Sequence, residues 1–229
     1  MNRRTVPFFA LIFAVIAIAS PLRAQDPTKE KERVKEAITI LDEIMAAADK
    51  AIPKSVLDKA EGIAVFPGLL KGGLGIGAQH GRGILSVHDK ATGKWSNPGF
   101  LTINGGSFGA QIGFQEIDLV LVIENQRGLA QLVKNQFKIG ADAGVAAGPV
   151  GRDASASTDI QMRAEILSYS RSRGLFAGVT LNGSTINQDR DANERFYGTP
   201  LTTSQIVFDG MGSNEATNDW KAILAKYVR

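Results

Sequence analysis

Glycine spacing between Leu69 and Asp89 is the feature that most limits how this chain can fold. In the run LLKGGLGIGAQHGRGILSVHD, glycine recurs at every second position, at residues 73, 75 and 77 and again at 81 and 83. Side chains alternate between the two faces of a β-strand, so one face of this segment is almost bare. A bare face permits sharp curvature or the close approach of another backbone. The spacing therefore predicts a strongly curved sheet.

The same glycines do not form a nucleotide-binding loop. The run gives GxGxG followed by alanine, whereas a dinucleotide-binding fold requires GxGxxG between a strand and a helix. A phosphate-binding loop ends in Gly-Lys-Ser or Gly-Lys-Thr, and the Gly93-Lys94 pair is followed by tryptophan. Both nucleotide interpretations fail, which leaves the structural role.

Short apolar segments alternate with turn residues along the rest of the chain. Ile117 to Ile123 is nearly continuous in apolar residues, as expected of a strand buried on both faces. Asn104-Gly105-Gly106 predicts a tight turn between two strands, and Pro67 predicts the end of another. The predicted strands are 62–66, 84–87, 100–103, 107–114, 117–124, 165–173 and 175–181. This pattern predicts an α+β fold: a strongly curved, Gly-rich, barrel-like antiparallel sheet with helices packed around it.

Three helices are predicted from apolar residues that recur at three- and four-residue steps. They are an N-terminal helix at 28–49 capped by Thr28, a middle helix at 126–135, and a C-terminal helix at 213–229 capped by Ser213. The N-terminal helix is amphipathic, and its charged face balances basic against acidic residues. It either packs on its own domain or contacts a membrane or a partner, and the sequence leaves both open. Its apolar stripe includes Val34, Ile38, Leu41 and Met45.

The first 24 residues have the pattern of a secretory signal peptide. Arg3 and Arg4 precede an uncharged apolar run, Val6 to Ser20, and Ala24 offers a small residue for cleavage. About 15 apolar residues fall short of the roughly 20 that a membrane-spanning helix needs. Residues 1–24 are therefore expected to be cleaved. That leaves residues 25–229 as a single domain, periplasmic or secreted and peripheral to a membrane if it binds one.

Cleavage of this leader changes the net charge of the protein, and with it the partners that the charge would favour. The whole chain carries 26 Lys and Arg against 23 Asp and Glu, and the leader holds three of the arginines and no acid. The mature chain is therefore formally neutral, and it has no general attraction to nucleic acid, which is not an expected partner. The absence of cysteine excludes disulfides.

Residues that could carry catalysis or hold a metal are few. His80 and His88 are the two histidines, and no cysteine or nearby acid cluster completes a ligand set. Asp189, Asp191 and Asn193 begin a calcium-loop pattern, but glutamate stands where that loop requires glycine. Ser107 stands in a GxSxG run at residues 105–109, but this run lies between predicted strands rather than at a strand-to-helix elbow, and neither Ser107 nor Ser184 has an evident base. The sequence therefore predicts no metal, no cofactor and no enzymatic activity.

The segment SYSRSRGLFAGVTLNGS, residues 168–184, carries the clearest candidate binding residues. Tyr169, Arg171 and Arg173 lie two apart on a predicted strand, so they share a face with the arginines about 7 Å apart. That pair can straddle one phosphate or carboxylate group. The alternative is a solvated strand face with ordinary surface ion pairs. The apolar half, Leu175 to Leu181, is predicted to be core.

Several runs in fixed order resemble the SYLF domain family. They are GIAVFPG at 62–68, KGGLGIGAQHGRG at 71–83, GSFGAQIG at 106–113 and SYSRSRGLFAGVTLNGS itself. The resemblance covers nearly all of residues 35 to 200. It implies a lipid-binding module that recognises phosphoinositides or other anionic lipids, and some fungal members of the family also bind actin.

The resemblance predicts a non-enzymatic module of the cell envelope that binds anionic lipid head groups at a membrane surface. Lys71 and Arg82, in the glycine-rich run, join Tyr169, Arg171 and Arg173 as candidate head-group contacts. The apolar stripe of the N-terminal helix is the candidate membrane contact. The alternative is a structural or protein-interaction domain of the envelope without a lipid ligand. Its protein partner stays open, and actin is not expected for an exported protein.

Overall fold

Two long antiparallel strands, β1 (Gly62–Asp89) and β3 (Gly99–Ile123), form the centre of the fold. The computed structural model describes residues 26–47, 51–151, 164–172, 175–176, 181 and 183–228. The predicted signal peptide, Arg173 and most of the predicted strand at 175–181 therefore lie outside the described residues. The further strands are β2 (Lys94–Trp95), β4 (Phe137–Lys138), β5 (Val145–Ala147), β6 (Ile166–Ser172), β7 (Leu175–Phe176) and β8 (Ser184–Gln188).

These strands form one curled sheet in the shape of a half-barrel. Its main path runs β2-β1-β3-β6-β5, while β8 joins β3 and β4, and β7 joins β6. The predicted α+β class and strong curvature are confirmed. One detail was wrong: β5 and β6 are parallel, so the sheet is mixed. Residues 148–165 separate these two strands, a length that permits the crossover that a parallel pair needs.

Pro67 does not end a strand, because β1 continues through it to Asp89. The pairing register with β3 shifts between Phe66 and Leu69, so Pro67 and Gly68 occupy a bulge. A proline at a bulge has no ladder hydrogen bond to lose. Gly68 adopts φ 54°, and its N–H donates to the Asp118 carboxylate at 3.1 Å. The predicted strands at 62–66 and 84–87 are thus two ends of one strand.

Asn104-Gly105-Gly106 likewise does not form a turn. These residues continue β3 and pair with His80, Gln79 and Ala78 of β1. Because β1 supplies a partner to the ladder at each of these positions, the extended backbone is retained through the glycines. The three strands predicted between residues 100 and 124 are therefore one strand.

The glycine-rich face of β1 lets its two halves approach each other closely. A Cβ added at Gly83 would lie 2.5 Å from the carbonyl oxygen of Val65 and 2.5 Å from the Phe66 ring. A Cβ at Gly81 would lie 2.6 Å from a methyl group of Leu69. The absence of side chains at these glycines therefore permits the fold of the strand upon itself, as the alternation predicted.

Both faces of the central strands are buried. Val120 and Val122 of β3 belong to one apolar cluster, whereas Leu119, Leu121 and Ile123 belong to another on the opposite face. This confirms the prediction that the apolar run of β3 is core on both sides. The helices that cover these faces are α1 (Thr28–Ala46), α2 (Lys54–Leu57), α3 (Gln126–Leu132), α4 (Arg190–Tyr197), α5 (Thr203–Val207) and α6 (Thr217–Tyr227).

α1 packs on its own domain in this structure. Val34 and Leu41 are fully buried in the first cluster, and Ile38 and Met45 are partly buried against it. Polar contacts reinforce this docking: the Arg195 side chain of α4 donates to the buried Glu30 carboxylate at 2.8 and 3.0 Å. The structure thus shows the docked arrangement, one of the two that the sequence left open.

The predicted ends of all three helices need correction. α1 begins at Thr28 with Pro27 in the capping position, and it ends at Ala46 rather than 49. α3 ends at Leu132, three residues early. α6 begins at Thr217 rather than 213, because the Asn214 side chain accepts from the N–H of Ala216 and forms a turn instead. No helix in the described part of the chain is both long and apolar enough to cross a membrane.

Candidate functional site

Two large apolar side chains are exposed together on the paired strands β1 and β3. Phe114 is 95% exposed and Leu70 is 58% exposed. Register pairs Phe114 with Gly72 and Leu70 with Glu116, so all four residues belong to one face of the two strands. The Phe114 ring lies over the bare backbone of Gly72, where a Cβ would collide with it. We call Leu70 and Phe114 the curl patch.

A groove opens beside the curl patch where β1 turns back on itself. Its volume is about 430 Å³. Two segments of the same strand, 70–72 and 78–80, form its walls together with residues 114–116 of β3. The register shift between Leu74 and Ile76 lies in the stretch of β1 that joins these two segments. We call this concavity the curl groove; its residues are Leu70, Lys71, Gly72, Ala78, Gln79, His80, Phe114, Gln115 and Glu116.

Two buried polar side chains line the curl groove. Lys71 is 8% exposed, and the described residues place no carboxylate within ion-pair distance of it. Gln79 is 5% exposed; its amide nitrogen donates to the Ser184 hydroxyl, but its amide oxygen has no partner among the described residues. On the exposed face, the His80 ring nitrogen Nδ1 lies 2.7 Å from the Asn104 side-chain oxygen. The groove thus has one buried cationic side chain, Lys71, in its wall and one exposed acidic side chain, Glu116, at its rim.

Arg171 lies in a different place, in a groove between α1 and the sheet. It forms ion pairs with Glu43 and with Asp118, the latter at 3.2 Å. Partial burial opposes its charge, but these two hydrogen-bonded carboxylates prevail and raise the pKa of Arg171. The groove has a volume of about 590 Å³. Its charged lining residues are Glu32, Glu36, Glu43, Glu116, Asp118, Lys35 and Arg171.

This second groove, which we call the acidic groove, carries five carboxylates against two basic groups. Burial, helped by the negative charge of Glu32, raises the pKa of Glu36 above its ordinary value. An anionic ligand would have to approach Arg171 against the negative electrostatic potential of these five carboxylates. The geometry matches the alternative considered for this strand, in which the arginine forms ordinary ion pairs within the protein.

The remaining sequence-predicted residues do not converge on Arg171. Tyr169 shares its strand face but is buried in the core under α1, and this burial raises its pKa. Arg82 is exposed on β1, and its charge contributes, after burial, to the lowered pKa of Arg33. Arg173 lies outside the described residues. Of the four candidate head-group contacts that the structure describes, Lys71 is the one that lines the curl groove.

The sequence did not single out Leu70, Phe114 or Gln79. Their neighbours in the sequence gave no signal, because polar residues such as Gln115 and Glu116 flank buried and exposed strand residues alike. Asp189, which begins the calcium-loop pattern in the sequence, caps α4 by accepting from the N–H of Ala192 at 3.1 Å. Within the described residues, no group of three or more potential ligands could hold a metal ion.

The fold and its exposed site define a class of protein: an α+β domain built on one curled sheet, with an apolar patch and two grooves on its surface. A family model described as "Ysc84: Las17-binding protein actin regulator" matches residues 104–227. This chain belongs to the Ysc84 family, which confirms the resemblance to SYLF domains.

Relatives in animals and yeast support this assignment. The chain is 34% identical over 208 residues to human "SH3 domain-containing YSC84-like protein 1", covering 88% of this chain and 60% of that protein. It is 33% identical over 189 residues to "LAS seventeen-binding protein 3" of Saccharomyces cerevisiae, covering 79% of this chain and 41% of that protein. The chain thus spans about three fifths or less of these relatives. Their names describe domain content and binding, not enzymatic activity.

Proposed function

We propose that this chain is a non-enzymatic lipid-binding module that contacts a membrane surface through the curl patch and holds a head group in the curl groove. The observation that carries the proposal is the nearly complete exposure of Phe114, next to Leu70, on the rim of a groove lined by a buried lysine. Following the predicted leader, we place this activity in the cell envelope, in the periplasm or outside the cell.

The physical argument begins with the apolar pair. Exposed apolar residues are ordinary when they are scattered singly, but a neighbouring aromatic and aliphatic pair beside a groove is typical of a binding surface. Phe and Leu gain free energy when they leave water for the acyl boundary of a bilayer. In this orientation the ammonium of Lys71 would meet the phosphate layer, because the groove opens beside the patch.

In this arrangement the residues predicted from the sequence as lipid contacts have different roles. Lys71 keeps the proposed head-group role. Tyr169 and Arg171 lie under or beside α1, and the apolar stripe of α1 is occupied by its own domain. Membrane contact by that stripe would require α1 to leave the core, whereas contact through the curl patch requires no rearrangement. Roles for Arg82 and Arg173 remain predictions.

Flotation with lipid vesicles tests the proposal. We expect the chain to float with vesicles of phosphatidylcholine mixed with phosphatidylglycerol or phosphatidylethanolamine, because the patch and Lys71 act on any phosphate-bearing bilayer. The affinity is expected to fall only moderately with added salt, because a single buried lysine and an apolar patch carry it. Absence of flotation with every vesicle composition would contradict the proposal.

A protein-interaction role is the second candidate, favoured by the acidic groove and by the description of the family as Las17-binding. A concave surface with five carboxylates suits a basic protein segment. Photo-crosslinkers at Thr39, in the acidic groove, and at Phe114 distinguish the candidates. Crosslinks to protein from Thr39 favour this second role, whereas crosslinks to lipid from Phe114 favour the first.

A further inference from the structure

A histidine, His80, lies beside the curl patch on the same face of the sheet. Ile84, four residues further along β1, belongs to the apolar cluster under α1, and residues an even number of positions apart on a strand share a face. Val120 of β3 belongs to the same cluster, which places Phe114 on this face too. His80 and both residues of the curl patch also line the curl groove. Contact of the curl patch with a bilayer would therefore bring His80 to the bilayer surface.

The hydrogen bond of the His80 ring leaves its second nitrogen free to gain a proton. Nδ1 lies 2.7 Å from the side-chain oxygen of Asn104, and an amide oxygen can only accept, so Nδ1 carries the hydrogen of the neutral ring. Nε2 has no hydrogen-bond partner among the described residues, and the side chain is exposed. A proton can therefore add at Nε2 without breaking a hydrogen bond. The ring then presents a charged N–H donor that a phosphate oxygen can accept.

The exposed charges around His80 do not make this face positive while the ring is neutral. The charged side chains that border the face come from β1, β3, α1 and the cap of α4; they are Lys71, Arg82, Glu116, Arg33 and Asp189. Arg82 and Glu116 are the exposed members, and their charges cancel. Glu116 also borders the acidic groove, whose other carboxylates add negative charge. The sequence of the curl, 73–78 and 105–113, contains no charged residue. Protonation of His80 therefore shifts this face toward attraction for anions.

We propose that His80 makes membrane binding sensitive to pH: protonation of its ring strengthens the attachment of the curl patch to anionic bilayers. This inference rests on the proposed lipid-binding function and specifies the condition and the lipid charge that favour it. Imidazole gains its charge between about pH 8 and pH 5, a range in which arginine stays charged and lipid phosphates stay anionic. The added charge is attracted by the negative surface potential of an anionic bilayer, whereas a zwitterionic bilayer has no such potential. Mild acidification thus favours anionic bilayers selectively.

The experiment measures binding to vesicles of phosphatidylcholine with and without phosphatidylglycerol, at about pH 7.5 and about pH 5.5, on either side of the range in which imidazole titrates. Wild-type protein is expected to bind the phosphatidylglycerol vesicles about fivefold more tightly at the lower pH, the gain from one basic group near an anionic surface. Added salt should remove most of this gain, because it is electrostatic. Binding to phosphatidylcholine alone should change little. A gain of equal size on phosphatidylcholine alone would overturn the proposal.

Two substitutions of His80 locate the pH dependence. His80→Gln keeps an amide that can donate to Asn104 but cannot gain a proton, so it should bind at both pH values as the wild type does at about pH 7.5. His80→Lys carries a positive charge at both pH values, so it should bind at both as the wild type does at about pH 5.5. Thermal unfolding at each pH establishes that the variants are folded before binding is measured.

His88→Phe is the matched control, because His88 is the other histidine of the chain. His88 is 8% exposed, and its ring stacks on Trp95 with 4.8 Å between the ring centroids. Phenylalanine keeps an aromatic ring against Trp95 and cannot titrate, so this variant should retain the pH dependence of the wild type. Loss of the pH dependence in His88→Phe and its retention in His80→Gln would assign the titration to His88 and overturn the proposal.

The outcomes separate this inference from the function on which it rests. Wild-type binding that is equal at the two pH values would overturn the role of His80 while lipid binding stands. A gain that survives in His80→Gln would overturn it as well, and would point to another titrating group such as Glu36, whose pKa is raised by burial in the acidic groove. Failure to float with any vesicle at either pH would overturn the proposed function itself.

Discussion

Replacing Gly83 by alanine is expected to lower the free energy of unfolding by about 3 kcal/mol, near the upper end of overpacking costs. The added methyl group would lie 2.5 Å from the carbonyl oxygen of Val65, and 2.5 Å from the buried Phe66 ring. Backbone cannot move aside as a flexible side chain can, so the two halves of β1 would have to separate. Denaturant unfolding measures the loss as a lower midpoint.

Gly106→Ala is the matched control, because Gly106 is also a glycine in a paired strand. The nearest atom to a Cβ at this position is the carbonyl oxygen of Gly77 at 3.9 Å, an ordinary contact. We expect the free energy of unfolding to change by no more than about 0.5 kcal/mol. Equal losses for both variants would show that glycine acts through strand propensity and not through the close approach within β1.

The double variant Leu70→Ser, Phe114→Ser is expected to weaken vesicle binding on the order of 100-fold. Burial of a Leu or Phe side chain is worth about 1.5–3 kcal/mol, and 1.4 kcal/mol corresponds to a factor of ten. The two side chains together should therefore supply at least about 3 kcal/mol of membrane affinity. Both are exposed in the folded protein, so the variant should unfold at the same denaturant concentration as the wild type.

Phe208→Ser controls for a general loss of surface hydrophobicity. Phe208 is 44% exposed and follows α5, which packs at the Gly99 end of β3 rather than at the curl patch. Vesicle affinity should be unchanged in this variant. Retention of wild-type affinity by the Leu70, Phe114 double variant would exclude the curl patch as the membrane contact.

The curvature of the sheet could be predicted because it depends on one local property. Alternating glycines leave one face of β1 bare whatever the rest of the chain does, and Gly81 and Gly83 are where its two halves meet. The burial of both faces of β3 at Ile117 to Ile123 could be predicted for the same reason, because the apolar run there is continuous in the sequence. The family resemblance extended both inferences to the whole domain.

Strand continuity could not be predicted, because it depends on pairing over long distances. Asn104-Gly105-Gly106 has the composition of a turn, yet β1 lies alongside and supplies ladder partners to all three residues. Pro67 is expected to end a strand, yet the register shift between Phe66 and Leu69 accommodates it within β1. In both places a tertiary contact overrides the local preference.

Apart from Lys71, the residues of the curl patch and the curl groove escaped prediction for a related reason. Lys71 and Gln79 are eight residues apart on one strand, and they line one groove only because that strand turns back on itself. Arginine is a residue type that often binds anions, but α1 places Glu43, which is distant in the sequence, in an ion pair with Arg171. Sequence spacing reveals which side chains share a strand face; it does not reveal which distant charges will neutralise them.

Tryptophan placed at position 114 gives the most direct measurement of whether the curl patch enters a bilayer. The native Trp95 and Trp220 are buried, so they should be shielded from quenchers in the acyl region. With vesicles that contain brominated lipids, the added emission of Phe114→Trp should be quenched and blue-shifted, while that of Phe208→Trp should not. Vesicle-bound Phe114→Trp protein whose emission is neither shifted nor quenched would contradict membrane contact through the curl patch.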